Sequence, residues 1–76
     1  MRGIDYCKRI LKRLESQGFS KEVPRNDLVK AIMLEVSWNR STIRRYLQIM
    51  EELELIKKIG NGIYELNHEK IKELDT

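Results

Sequence analysis

Residues 37–53, with the sequence SWNRSTIRRYLQIMEEL, decide the fold of this chain. An α-helix through this stretch places apolar side chains on one stripe, at spacings of three and four residues. The stripe consists of Ile43, Tyr46, Leu47, Met50 and Leu53. The other face carries three arginines and two neutral hydrogen-bonding side chains: Arg40, Ser41, Arg44, Arg45 and Gln48.

Acidic side chains are absent from this helix until its end, where Glu51, Glu52 and Glu54 come together. A basic N-terminal end and an acidic C-terminal end are the reverse of what the helix macrodipole favours. Stability alone therefore does not explain the pattern, whereas an anionic partner at the first half of the helix would explain it.

The composition indicates one small globular domain covering residues 1–76. Hydrophobic residues make up 41% of the chain and charged residues 36%, with a formal net charge of +3. A single cysteine cannot form an internal disulfide, and the chain has neither a long apolar run nor an apolar N-terminal signal. These features predict a cytoplasmic protein without a membrane partner.

Two further helices are predicted before the central stretch. The first covers residues 4–16, and its basic coat is interpreted as a solvated face, with phosphate contact as the alternative. A short extended segment at residues 20–25 follows, with an edge strand around Val23 that is favoured by Pro24. Asn26 is predicted to cap a second helix at residues 27–36, and either Ser37 or Asn39 to cap the third. Such a tight link between two helices is typical of a helix-turn-helix.

The apolar period changes to two after Glu54, which predicts a β-hairpin. Residues 55–59 and 63–66 form its strands, and Asn61-Gly62 is the strongest short turn signal in the chain. This turn predicts that Ile59 faces Tyr64 and that Lys58 faces Glu65 across the strands. A last short helix is expected at residues 67–74, capped by Asn67 with Ile71 and Leu74 inward.

This order of elements resembles the winged helix-turn-helix family of DNA-binding domains. The resemblance covers residues 4–66 and is carried by the runs at 37–47, 51–56 and 57–64. It implies a mainly α fold with a small antiparallel β-hairpin, namely a three-helix core, a wing and a short C-terminal helix. Family members often have glycine at the position of Glu54, so this chain departs from the pattern there.

The resemblance and the arginines together predict sequence-specific binding to double-stranded DNA and a role in transcription regulation. The third helix is expected in the major groove, where Arg44 contacts a base and Gln48 reads adenine. Arg40 and Arg45 suit phosphates, whereas the wing reaches the flanking backbone or minor groove. The full predicted set is Trp38, Asn39, Arg40, Ser41, Thr42, Arg44, Arg45, Gln48, Lys57, Lys58 and Asn61.

Several of these residues also have a structural interpretation. Trp38 is interpreted as filling the turn between the helices, with stacking at the DNA backbone as the alternative. Thr42 lies nearer the core edge, where it either caps the helix or contacts the DNA backbone. Lys57 and Lys58 can protect a hairpin edge from aggregation while also facing a groove.

Other functions find less support in the sequence. His68 is the sole histidine and Cys7 lies on an apolar helix face, so neither an enzyme active site, a metal nor another cofactor is predicted. The alternative function is a winged-helix module that binds protein rather than DNA, suggested by the low net charge and the glutamates after residue 50. A homodimer formed through the first or last helix is left open.

Overall fold

The computed structural model describes residues 2–74, with side chains described from Ile4 onward. The elements in chain order are α1 (Arg2–Ser16), β1 (Glu22–Pro24), α2 (Arg25–Glu35), α3 (Arg40–Glu52), β2 (Ile56–Gly60), β3 (Ile63–Leu66) and α4 (His68–Glu73). Within this part of the chain, four helices and one three-stranded antiparallel sheet form a winged-helix-like fold. The predicted fold class is confirmed.

The core lies where the apolar faces of the three long helices meet the inner face of the sheet. Each helix contributes side chains three or four positions apart, as helical geometry requires. The side chains that are almost completely buried include Ile10, Leu14, Leu28, Ile32, Met50, Leu55 and Val23. Ile71 and Leu74 of the last helical segment pack against this core as expected.

β1 is the predicted third strand, and it pairs with β3 so that the strand order is β1-β3-β2. Val23 lies opposite Tyr64, and both side chains are buried. A hairpin alone is marginal in water, and a third strand adds the apolar surface that it lacks. β1 leads directly into α2 and buries Val23, so it connects the sheet to the helical part of the fold.

The register of the hairpin differs from the prediction. Gly60 lies opposite Ile63, as an Asn-Gly turn requires, but Lys58 then lies opposite Tyr64. The expected pairs Ile59–Tyr64 and Lys58–Glu65 are wrong because a β-bulge at Ile59 shifts the ladder by one residue.

Core packing accounts for this bulge. A one-residue shift exchanges the two faces of a strand. In the regular register Ile56 would lie opposite Asn67, on the outer face of the sheet. With the bulge Ile56 lies opposite Leu66, and both side chains are buried.

The start of α2 also differs from the prediction, because Asn26 does not cap it. The helix begins at Arg25, directly after Pro24, and no side chain caps its first turn. Pro24 has φ of −64° and ψ of 145°, so the strand conformation continues up to the first helical residue. The backbone N–H of Arg25 instead donates to the carbonyl oxygen of Gly62, at 2.7 Å.

α3 ends in a Schellman motif, in which a residue in the left-handed conformation closes the helix. Glu54 N–H donates to the Glu51 carbonyl at 3.0 Å, and Leu55 N–H donates to the Met50 carbonyl at 2.9 Å. Glu54 occupies the left-handed position with φ of +61°. Backbone hydrogen bonds thus close the helix although this chain has glutamate instead of glycine there.

Candidate nucleic-acid interface

Asn39 caps α3 and sets the direction in which the helix begins. Its Oδ1 accepts from the backbone N–H of Ser41 at 2.8 Å and of Thr42 at 3.4 Å. Ser37 supports the cap, because its Oγ accepts from the Asn39 N–H at 3.1 Å. Of the two candidates that the sequence left open, Asn39 is therefore the cap. The Asn39 oxygen also occupies two amides that an anion at this helix end would otherwise use.

Buried side chains hold α3 with its basic face outward. Ile43, Leu47 and Met50 are in the core, and Tyr46 is half-buried. The predicted inward stripe is confirmed at these positions, but Leu53 lies beyond the last helical residue and is 40% exposed. The outward residues are all exposed: Arg40, Ser41, Arg44, Arg45 and Gln48. Thr42 is half-buried at the edge of this face.

The three arginines of α3 have no ion-pair partner among residues 4–74. The ion pairs in this range join Arg13 to Glu35, at 2.6 Å, and Lys70 to Glu54 and Glu73. At the acidic end of α3, the Glu52 carboxylate accepts a hydrogen bond from Gln48 Nε2, at 3.3 Å, and forms no ion pair with these arginines. The guanidinium groups of the basic face are therefore available to an external anion.

Aromatic rings connect α3 to α1 behind this face. Tyr6 and Tyr46 meet edge to face, with ring centroids 6.0 Å apart, and the Arg9 guanidinium lies 5.9 Å from the centre of the Tyr6 ring. Loss of hydration raises the pKa of Tyr46, with smaller raising effects from Cys7 and Tyr6 and a lowering effect from Arg45. Tyr46 is thus a neutral packing group beside the arginines.

Trp38 does not plug the turn between α2 and α3, so the favoured interpretation of this residue is wrong. Its side chain is 73% exposed. The turn is closed instead by backbone hydrogen bonds from Val36 and Ser37 to the Ile32 carbonyl and by the Ser37–Asn39 contact. The indole is therefore left at the surface, beside the first residues of α3.

The wing is the hairpin formed by β2, β3 and the turn between them. It presents Lys57, Lys58 and Asn61 at the surface, all exposed as expected. The two lysines are neighbours on β2, and their side chains point to opposite faces of the sheet. Gly62 has φ of +72°, which glycine adopts without a steric penalty. Only residues 53–55 separate the end of α3 from β2, so the basic helix and the wing are consecutive elements of the chain.

Arg25 is a candidate site residue that was not predicted from the sequence. It is exposed at the first position of α2, and it lines a cleft together with Trp38, Arg40 and Arg44. In the sequence, the only local feature that singled out Arg25 was its position directly after Pro24. Its position beside α3 depends on how the two helices pack, which that signal does not contain.

The residues considered for other chemistry have ordinary surroundings. Cys7 is completely buried, and burial raises the pKa of its thiol, so it is held protonated. His68 is exposed, and its Nε2 donates to the carbonyl oxygen of Ser20. In the described residues no three His, Cys, Asp or Glu side chains are grouped to hold a metal ion. No helix there combines the length and apolar character that crossing a bilayer requires.

Comparisons with protein-family models, with curated proteins and with solved structures found no match for this chain. Its functional assignment therefore depends on the residues and geometry described above.

Proposed function

We propose that this protein is a winged helix-turn-helix regulator of transcription that binds double-stranded DNA in the cytoplasm. In this proposal α3 enters the major groove with its N-terminal half, and the wing contacts the flanking backbone or minor groove. The single observation that carries the proposal is the set of three exposed arginines on α3 without carboxylate partners in the described chain.

The free energy of binding should favour an external anion at the basic face of α3. Duplex DNA presents closely spaced phosphates, and each cation that neutralises one releases a condensed counterion. Arg40, Arg44 and Arg45 can do this without first breaking an ion pair to any carboxylate of residues 4–74. A guanidinium also matches the paired acceptors of guanine in the major groove, which suits Arg44 in the middle of the face.

Gln48 has a conditional role in this proposal. Its amide nitrogen donates to Glu52 in the free protein, at 3.3 Å and at an exposed position. An exposed hydrogen bond of this kind contributes little stability, since water competes for both groups. Gln48 can therefore exchange Glu52 for the edge of an adenine when α3 enters the groove.

Salt-dependent binding tests the proposal directly. Five exposed cations are assigned to the interface: Arg40, Arg44, Arg45, Lys57 and Lys58. If each neutralises one phosphate, log K should fall with log salt at a slope of about −4.5, and affinity should drop roughly 500-fold between 50 and 200 mM salt. Fluorescence anisotropy with a labelled pool of random duplexes measures the slope, and selection from that pool reveals sequence preference.

A pair of charge variants makes this test specific. Arg45→Gln should make the slope shallower by about 0.9. Lys72→Gln removes the same charge from an exposed position of α4 and should leave the slope unchanged. Absence of salt-sensitive binding at low ionic strength, or equal effects of the two variants, would contradict DNA binding through α3.

A protein-binding module is the second candidate, favoured by the exposed Glu51 and Glu52 at the end of α3. That candidate would gain if Arg44 and Arg45 were engaged in ion pairs within the domain, and they are not within residues 4–74. The anisotropy titration separates the two functions, because a protein-binding module gives no salt-dependent duplex binding.

A further inference from the structure

The groove between α2 and α3 has an apolar floor that the proposed DNA contacts do not use. Val29 and Met33 lie four residues apart on one side of α2, and Ile43 faces them from α3. Val29 and Met33 are half-buried, and Ile43 is buried. The cleft has a volume of about 420 Å³, which lies within the range of small-molecule sites.

The rim of this cleft is aromatic and cationic. Trp38 forms one wall with an indole that is 73% exposed. Arg25, Arg40 and Arg44 line the opening, and no carboxylate of the described chain forms an ion pair with any of them. The cleft thus combines a flat aromatic wall, an apolar floor and guanidinium groups that have no ion-pair partner among residues 4–74.

These three features select for one class of ligand. An apolar body removes the floor from water, a flat ring stacks on the indole, and a carboxylate forms charge-assisted hydrogen bonds with guanidinium groups. A simple inorganic anion would use only the rim. A neutral hydrocarbon would use only the floor and the wall, and would leave the arginines without a partner.

We infer that the α2–α3 cleft binds a small aromatic carboxylate, with its ring between Trp38 and the apolar floor and its carboxylate at Arg40 and Arg44. The same two arginines belong to the proposed DNA-binding face, so an occupied cleft should exclude the duplex. This exclusion rests on the proposed function, whereas binding in the cleft does not. Such a ligand would act as an effector that releases the protein from DNA.

NMR titration of the full chain tests binding in the cleft. Trp38 is the only tryptophan, so its indole N–H gives a single assignable resonance. The probe is 3-phenylpropionate, with 3-phenylpropanol and acetate as matched compounds that lack the charge and the ring respectively. We expect saturable shifts of the Trp38 resonance with a Kd on the order of millimolar for a ligand this small, and binding at least about tenfold weaker for each matched compound.

Variants locate the carboxylate. Arg44→Gln should weaken 3-phenylpropionate at least about fivefold, because it removes a charged donor from the rim. Lys72→Gln removes an equal charge outside the cleft and should leave the Kd unchanged. Shifts that do not saturate, equal binding of acetate, or an unchanged Kd in Arg44→Gln would overturn the inference.

Competition with duplex tests the regulatory step separately. Saturating 3-phenylpropionate should lower the apparent affinity for a labelled duplex, whereas acetate at the same ionic strength should not. A duplex that still binds with full affinity would overturn the exclusion. Failure of the duplex to bind without any ligand would instead refute the proposed function, and the NMR titration would still decide whether the cleft is a site.

Discussion

Replacing Glu54 by glycine should leave this protein more stable than replacing Glu54 by alanine, although both changes remove the same ion pair. Glu54 has φ of +61° at the end of α3, where a side chain with a Cβ atom is strained. Its carboxylate lies 3.7 Å from the Lys70 ammonium, with side chains 70% and 40% exposed respectively. Glu54→Gly removes both the strain and the ion pair, and Glu54→Ala removes only the ion pair.

The expected magnitude follows from these opposing effects. A non-glycine residue in the left-handed conformation costs about 1–2 kcal/mol, whereas the extra freedom of glycine in the unfolded chain costs about 0.4–1 kcal/mol. Glu54→Gly should therefore exceed Glu54→Ala by about 0.5–1 kcal/mol in free energy of unfolding. An exposed ion pair contributes about 0–1 kcal/mol, so the free energy of unfolding of Glu54→Gly should lie within about 1 kcal/mol of that of the natural chain.

Thermal and urea unfolding of the three proteins measure these differences. A gap of this size corresponds to a Tm of Glu54→Gly roughly 5 °C above that of Glu54→Ala for a domain of this length. The Schellman hydrogen bonds use backbone groups only, so both variants should retain the helix end. If Glu54→Gly proved no more stable than Glu54→Ala, the left-handed conformation at this position would carry no strain and the reasoning would be wrong.

Four other variants test three further predictions. Arg44→Ala should lower discrimination at one base pair by about 1–3 kcal/mol, whereas Lys58→Ala should weaken binding to all duplexes alike. Binding to duplexes that differ at single base pairs measures this discrimination. If Arg44→Ala weakened all of these duplexes equally, Arg44 would not contact a base. Met50→Ala empties a completely buried position and should cost about 2–5 kcal/mol in urea unfolding; a loss much smaller than this would mean that α3 packs differently. Burial raises the pKa of the Cys7 thiol in the folded protein. The stability that the protonated thiol contributes is therefore fully present below the ordinary thiol pKa of about 8.5, and it is lost as pH rises through the higher folded-state pKa. Urea unfolding of Cys7→Ala should therefore depend less on pH between about 8 and 10, and an equal pH dependence in both proteins would refute this explanation.

Much of the fold could be predicted because its signals are local. The three- and four-residue spacing of Ile43, Leu47 and Met50 requires only a helix and a core on one side. The Asn61-Gly62 turn and a cap at either Ser37 or Asn39 depend on a few consecutive residues, and the structure contains the turn and the Asn39 cap. The outward direction of the arginines then follows from the buried stripe behind them.

The differences arise where distant parts of the chain decide the outcome. The bulge at Ile59 exists because Ile56 must face the same core as Leu66, and hairpin rules alone do not contain that demand. The exposure of Trp38 depends on how closely α2 and α3 approach each other, and no pattern within the turn specifies that distance. Arg25 was missed for the same reason, since its importance comes from neighbours on another helix.

The hydrogen bond between the Arg25 amide and the Gly62 carbonyl couples two segments that are far apart in the sequence. α2 lacks a side-chain cap, so the turn of the wing supplies an acceptor to its first amide. Local opening of the hairpin must therefore also uncap α2. Amide hydrogens in the first turn of α2 and in the wing are then expected to exchange with solvent as one cooperative unit, even though thirty-six residues separate the two partners.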